Sequence, residues 1–173
     1  MSSPHSMQRL HGPDGLAALG IAAVRVAEDS LFTYAEPCES GRTAEMLRGR
    51  AAGEPWLTAS VRFTGPFEGA VRVSLPHALA GDLAYAFCGL DPETLDAAQR
   101  ADFAGELCNM VCGLWLTSTH RTERFELGAP VVADAPAESI ASGFGAVPAL
   151  GIALNDTPVV IALAPPAVVE ARA

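Results

Sequence analysis

A carboxylate and a carboxamide lie three residues apart in the stretch ELCNMVCG, residues 106–113. If this stretch is helical, Glu106 and Asn109 share one face, because each residue advances about 100° around the helix axis. Asp102 and Gly113 fall on the same face, and all four residues lie within about 60° of one another. A carboxylate can pair with a cation, and an amide can both donate to and accept from water. The spacing therefore predicts a narrow polar stripe along one face of the helix.

The flanks of this stripe are apolar. Phe103 and Met110 lie on one side of the predicted helix, and Cys108 and Trp115 lie on the other. Glutamate and asparagine at this spacing are, by themselves, typical of a solvated helix edge. A narrow polar stripe on an otherwise apolar helix must meet either water or a partner.

Two glycines interrupt the same helix, and each costs about 1 kcal/mol relative to alanine. Gly113 lies on the stripe, one turn after Asn109, and Gly105 precedes Glu106. A bare backbone suits close approach by another chain, and it equally suits tight packing inside the protein. The sequence leaves both interpretations open.

Three helices are predicted to carry and support the stripe. Apolar residues at helical spacing define them, and prolines and a capping aspartate, Asp91, mark their ends. Pro37 is predicted to end the first helix. The predicted helices run from about Gly15 to Ala35, from Pro76 to about Cys88, and from Pro92 or Leu95 to Thr119.

Two hairpins are predicted from alternating apolar and polar residues on either side of short turns. The predicted strands are residues 57–64 and 70–75, joined by GPFEG, and residues 147–154 and 158–164, joined by NDTP. Residues 41–56 indicate a polar connector between the first helix and the first hairpin. The small and polar residues 133–146, after Pro130, predict a mobile loop.

The element order is therefore helix, hairpin, helices, hairpin, which gives two helix–hairpin halves without a strong sequence repeat. This order predicts an α+β fold in which long helices pack over one face of a mostly antiparallel sheet. A length of 173 residues favours one domain. Residues 1–14 are predicted to form a flexible tail, and residues 15–173 a single domain.

The charge balance argues against two classes of partner. Lys and Arg total 11 against 20 Asp and Glu, for a formal net charge of −9. Without a basic run, the chain is a poor candidate for binding nucleic acid or an anionic membrane surface. No apolar run reaches the roughly 18 residues that a membrane-spanning helix needs, and the N-terminus lacks the pattern of a signal peptide. A cytoplasmic protein is expected.

The cysteines and histidines suggest no metal centre or hydrolase triad. Cys108 and Cys112 are one helical turn apart, but no second ligand pair is near in sequence and both point to the apolar side. They are therefore predicted to be buried core residues. The four histidines are scattered and do not fit a Ser/His/Asp arrangement.

The spacing of Asp102, Glu106, Asn109 and Pro130 resembles the signature of the CheC/CheX/FliY phosphatases of bacterial chemotaxis. That signature is Asp or Ser, three residues, Glu, two residues, Asn, and a proline about twenty residues later. The flanking stretches VRFTGPFEGAVRVSLP, AYAFCGLDPETLD, FELGAPVV and SGFGAV are also similar to the family. The resemblance covers roughly residues 15–165 and is closest to CheX.

A single copy of the motif is present. In the first predicted helix, Glu28 is followed at the asparagine position by Leu31. CheC-like members carry two copies, so one copy also fits the CheX-type arrangement. The resemblance implies a CheC-like fold.

The resemblance further implies a hydrolase that removes the phosphoryl group from the phosphoaspartate of a CheY-type receiver domain. Asn109 would orient the attacking water, and Glu106 would pair with a lysine of the receiver. Asp102 and Gly113 would support the interface, and Pro130 would shape the backbone beside the site. The receiver would supply Mg²⁺, so the chain would need no cofactor or metal site of its own.

Members of the family can dimerise through their sheets, and the last hairpin is the expected edge. The alternative function is a non-catalytic receiver-binding or flagellar-switch adaptor with the same fold. A small-molecule sensor would instead need a sizeable closed pocket, of which the sequence gives no sign.

Overall fold

The computed structural model describes residues 13–165. The described residues form five helices: α1 Pro13–Leu31, α2 Ser40–Arg48, α3 His77–Cys88, α4 Ala97–Thr119 and α5 Ala137–Gly143. They also form seven strands: β1 Ala35–Cys38, β2 Pro55–Thr64, β3 Gly69–Pro76, β4 Glu126–Leu127, β5 Val131–Pro136, β6 Ala149–Leu154 and β7 Thr157–Ala164. The predicted tail lies outside the described residues, except that Pro13 and Asp14 begin α1.

The strands form one sheet in the order β1-β6-β7-β3-β2, and β4 and β5 both pair with β2 along its other edge. Each of these pairs is antiparallel. Both predicted hairpins, β2–β3 and β6–β7, are confirmed, and they meet at the centre of the sheet through β3 and β7. The second hairpin turns at Asn155 and Asp156, whose φ angles of 46° and 63° suit a two-residue turn between twisted strands.

The main core lies between one face of the sheet and the three longer helices, α1, α3 and α4. Alternate residues of each strand point into it, as in Leu57, Ala59, Val61 and Phe63 of β2. Trp115 of α4 is fully buried there, with its ring 5.6 Å from that of Phe63. The α+β fold with long helices on a mostly antiparallel sheet is therefore confirmed.

A second, smaller core covers part of the opposite face of the sheet. It is formed under the short helices α2 and α5 by Leu47, Trp56, Ala137 and Val160. A side chain at Gly151 would collide with Thr43, so the glycine lets α2 lie close against β6. The prediction of a polar connector at residues 41–56 is wrong, because the first half of this segment lies in the helix α2 and its last two residues begin β2. Helix α2 buries only Thr43 and Leu47, so its sequence shows a narrow apolar face.

The prediction of a mobile loop at residues 133–146 is also wrong. Residues 131–136 pair with β2 as strand β5, and α5 follows at once. Because β5 lies at the sheet edge, with three of its six residues exposed and none fully buried, its sequence shows no clean alternation.

Two predicted helix ends are corrected as well. The first helix ends at Leu31 rather than Ala35, and Pro37 lies in β1, where an edge strand tolerates its missing N–H. The long helix begins at Ala97 and not at Pro92 or Leu95. Asp91 does not cap it, because its carboxylate accepts from the backbone N–H of Glu93 in the preceding turn.

The last hairpin is not a sheet edge, contrary to expectation. Strand β6 pairs with β1, and β7 pairs with β3, so β1 is the outermost strand on that side. Within residues 13–165, no helix is both long enough and apolar enough to cross a membrane.

Candidate functional site

The polar stripe is carried by α4, whose first turn is fixed at several points. The Asp96 carboxylate accepts from the backbone N–H of Gln99 at 2.8 Å, and the Gln99 side chain accepts from the N–H of Asp96 at 3.0 Å. This reciprocal arrangement satisfies two N–H groups that a helix start would leave unpaired. Arg100 donates to the carbonyls of His77 and Pro92, at 2.9 and 2.7 Å. These bonds tie the start of α4 to α3 and to the connecting turn.

The structure brings the four predicted residues of α4 onto one accessible face. Asp102 and Glu106 are exposed, and Asn109 and Gly113 are half-buried. The residues on the far side of the helix, such as Ala104, are buried against the sheet and the neighbouring helices. The stripe predicted from helical spacing is therefore present, on a helix that is otherwise largely buried.

The polar side chains of the stripe are available to contact another molecule. Across residues 13–165, the side chains of Asp102, Glu106 and Asn109 form no hydrogen bond or ion pair. Their polar atoms are accessible, so water satisfies them when the protein is alone. A carboxylate and an amide held on a rigid helix without internal partners can enter an interface with little conformational rearrangement.

Pro130 lies directly against α4 at Gly105, the residue that precedes Glu106. A Cβ added to Gly105 would sit 3.0 Å from the Cβ of Pro130 and 3.5 Å from Val132. The segment between β4 and β5 can approach the helix this closely only because residue 105 has no side chain. Internal packing thus accounts for Gly105, and it places Pro130 at the border of the stripe.

Gly113 has no such neighbour. Apart from its chain neighbours and the backbone of its own helix, the nearest described atom to a Cβ added there would be the Cδ1 of Leu127 at 3.8 Å, which is ordinary van der Waals contact. Tight internal packing therefore does not account for this glycine. Its bare backbone lines a groove of about 100 Å³, here called the Gly113 groove. The residues that line this groove are Gly113, Leu116, Thr117, Glu123, Phe125 and Leu127.

This groove was not predictable from the sequence, because residues of β4 and of the turn before it line the groove together with α4 through non-local packing. Leu127 lies in FELGAPVV, a stretch that resembles the family, but nothing in its sequence pattern indicates a contact with α4. Its side chain lies across from α4 because β4 pairs with the end of β2, at Phe63 and Thr64.

The two α4 cysteines are core residues, as predicted. Cys108 and Cys112 are fully buried, and the Cys108 thiol lies 3.4 Å from the carbonyl oxygen of Val71. Burial raises the pKa of both thiols, that of Cys112 to about 12. In the described part of the chain, no three His, Cys, Asp or Glu side chains cluster so as to hold a metal ion.

The first helix carries no second copy of the motif. Glu28 is exposed on α1, but Leu31, at the position of the asparagine, is buried in the main core. An amide at that position would lie inside the protein and not at an accessible face.

A sequence profile of the family described as "Chemotaxis phosphatase CheX" matches residues 57–147, which is more than half of the 173-residue chain. The chain belongs to this CheX family. The matched segment contains the whole α4 stripe and Pro130, and the membership confirms the resemblance predicted from the sequence. No curated protein sequence matches the chain significantly.

Solved structures share the fold of this CheX-family chain at low sequence identity. The chemotaxis protein CheX from Vibrio vulnificus is 15% identical, with a TM-score of 0.64 over 86% of this chain and 94% of that one. The CheX of a CheX–CheY–BeF3–Mg²⁺ complex from Borrelia burgdorferi is 16% identical, with a TM-score of 0.56 over 86% and 95%. FliY from Thermotoga maritima is 14% identical, with a TM-score of 0.53 over 95% and 92%.

Proposed function

We propose that this protein hydrolyses the phosphoaspartate of a CheY-type receiver domain. The observation that carries the proposal is the accessible pair Glu106 and Asn109, which has no internal partner among the described residues and lies on a helix that is otherwise largely buried. Membership of a family described as chemotaxis phosphatases supports it. So does the shared fold with a CheX whose crystal structure is a complex with CheY, BeF3 and Mg²⁺.

Asn109 would position the attacking water. Phosphoryl transfer asks little covalent chemistry of the catalyst and depends on alignment and charge stabilisation. A side-chain amide can accept from a water and donate to a phosphoryl oxygen at once, and it does not titrate. The water oxygen forms a bond to phosphorus as the bond to the aspartyl oxygen breaks. The products are inorganic phosphate and the regenerated aspartate of the receiver.

Glu106 would hold the two proteins in register by pairing with a lysine of the receiver. It lies three residues before Asn109 on the same face, so an ion pair there fixes where the amide points. Asp102, one turn earlier, would extend the acidic contact. Pro130 would act indirectly, by packing on Gly105 and bordering the surface that the receiver approaches.

The receiver would bring the remaining components of the reaction. Mg²⁺ would be held by the receiver and would neutralise charge on the phosphoryl group, so the phosphatase itself would use no cofactor.

We also propose that the protein acts in the cytoplasm. The dimer expected from the family resemblance remains a proposal, and the strand available for sheet pairing at that end is β1. Sedimentation measurements would decide the oligomeric state.

The proposal is tested by following loss of phosphate from CheY-type receiver domains of the same organism, with wild-type protein and with Asn109→Ala. Removing one positioned catalytic group typically costs about 10²-fold or more in rate, and that loss is expected here at saturating protein. Thr119→Ala, an exposed change at the end of the same helix, is the control and should retain the wild-type rate. Equal rates for Asn109→Ala and wild type would refute the assigned mechanism.

The same experiment separates the phosphatase from an adaptor. An adaptor would bind the phosphorylated receiver without shortening the lifetime of its phosphate. Binding would then depend on Glu106 far more than on Asn109. A wild-type protein that binds the receiver and leaves its dephosphorylation rate unchanged would establish the adaptor and exclude the phosphatase.

A further inference from the structure

The Gly113 groove continues the proposed catalytic stripe. Gly113 is four residues after Asn109, and a helix rises about 6 Å over four residues. A receiver domain that presents a phosphoryl group to Asn109 therefore also lies close to Gly113. The groove and the stripe are neighbouring parts of one face, so the same partner can contact both.

The lining of the groove is largely apolar. Its apolar lining includes Phe125, the buried Leu116 and Leu127, which is 38% exposed. Glu123 stands at the rim, where its carboxylate is already paired with the Nδ1 of His120 at 2.8 Å. The open volume of about 100 Å³ matches one aliphatic side chain better than an extended peptide.

Internal packing does not require Gly113, at the floor of the groove, to lack a side chain. The Cβ that alanine would place at Gly113 meets no described atom closer than 3.8 Å, whereas at Gly105 it would press on Pro130. Glycine is a poor helix residue, so its use at position 113 costs stability without improving internal packing. Close approach by another molecule is the remaining physical reason for it.

We propose that the Gly113 groove receives an aliphatic side chain of the receiver domain whose phosphoaspartate is presented to Asn109. This inference rests on the proposed function and adds a specificity contact to it. Receivers with an aliphatic residue at the facing position would bind well. Receivers with a large polar or charged residue there would bind poorly, because the apolar walls cannot satisfy a buried polar group.

The test fills the groove and compares the result with a matched change elsewhere. Gly113→Leu places an aliphatic side chain in the groove from within, and its Cβ meets only ordinary van der Waals contact with Leu127. Gly41→Leu is the control, because Gly41 is also a helical glycine, has no described atom within 4 Å of an added Cβ, and lies in α2 on the opposite face of the sheet. Circular dichroism and thermal unfolding would verify that both variants fold.

The expected result is a selective loss of affinity. Gly113→Leu should raise the KM for the phosphorylated receiver by about tenfold or more, because a filled pocket at the centre of an interface excludes its anchor. Its kcat at saturating receiver should fall less than about threefold, since Asn109 is intact. Gly41→Leu should change neither constant. Leu127→Ala, which removes one apolar wall, should also raise KM, by about threefold to tenfold.

The outcomes distinguish this inference from the proposed function. If no CheY-type receiver of the organism binds when activated with BeF3 and Mg²⁺, or if Asn109→Ala dephosphorylates as fast as wild type, the proposed function fails. If Asn109 is essential but Gly113→Leu and Gly41→Leu give the same KM, only the groove inference is overturned. A fall in kcat without a change in KM for Gly113→Leu would also overturn it.

Discussion

Gly105 and Pro130 lie in direct contact, and this contact joins α4 to the edge of the sheet one residue before Glu106. The Cβ of an alanine at position 105 would come within 3.0 Å of the Cβ of Pro130. Pro130 belongs to the segment that connects β4 and β5, both of which pair with β2. The border of the proposed site is thus set by a tertiary contact between two residues that take no part in the chemistry.

The two α4 glycines should respond in opposite ways to substitution. Gly105→Val should lower the free energy of unfolding by about 1–3 kcal/mol, because overpacking displaces Pro130 and Val132. Gly113→Ala should leave it unchanged or raise it by up to about 1 kcal/mol, since alanine favours the helix and meets only ordinary contact. Urea unfolding measures the change in the free energy of unfolding for each variant. Equal changes would contradict the difference in packing between Gly105 and Gly113.

Glu106 should govern the salt dependence of receiver binding. Glu106→Gln keeps the size of the side chain and removes its charge, so affinity at low salt should fall by about tenfold and vary less with ionic strength. The control is Glu45→Gln, an exposed glutamate of α2 on the opposite face of the sheet. Titrations of an activated receiver at several salt concentrations would show the difference. Parallel salt curves for Glu106→Gln and wild type would argue against the proposed lysine pair.

The stability of the first turn of α4 should depend on the capping residue Asp96. Asp96→Ala removes the acceptor for the Gln99 N–H and should cost about 1 kcal/mol of stability. Asp96→Asn should cost much less stability, because asparagine caps helices about as well as aspartate. Thermal unfolding of the two variants measures the effect. An Asp96→Asn variant as unstable as Asp96→Ala would show that charge matters here more than the cap.

Stability should fall in alkaline solution because of the two buried thiols. Burial raises the pKa of Cys108 and Cys112 in the folded protein, so above pH about 9 the unfolded chain loses these protons while the folded chain keeps them. Each thiol then lowers the free energy of unfolding by at most about 1.4 kcal/mol per pH unit, until the pH reaches its folded pKa. Below pH about 8, this contribution to stability is fully present.

Denaturation curves between pH 8 and 10.5 would measure this slope. The double variant Cys108→Ala with Cys112→Ala should show a shallower decline than wild type, although it is less stable because of the cavities it leaves. Cys88→Ala, which changes an exposed thiol, is the control and should keep the wild-type slope. An unchanged slope in the double variant would rule out the buried thiols as its source.

The sequence predicted the α4 stripe correctly because helical spacing is a local property. Asp102, Glu106 and Asn109 share a face through the geometry of one helix, and the apolar residues around them are dense enough to reveal its orientation. The hairpins were predictable for a similar reason, since β2, β3, β6 and β7 contribute one strongly apolar face to the main core.

The short helices over the smaller core, α2 and α5, were not predictable in the same way. Helix α2 buries only Thr43 and Leu47, and α5 buries only Ala137, so neither shows an apolar stripe of useful width. Both helices are stabilised by packing against the sheet, and the residues in contact are far apart in sequence. The contact of Pro130 with Gly105 is non-local too, and the family resemblance indicated the proline without showing what it touches.

The two tryptophans are divided between the two cores. Trp56 lies in the smaller one, under α2 and α5, with its indole N–H donating to Glu54 at 3.1 Å, and Trp115 lies in the main one under the long helices. The protein therefore carries one tryptophan on each side of its sheet. Variants that retain a single indole would record the melting of each layer separately. Coincident transitions would show that the thin outer layer and the main core unfold as one cooperative unit.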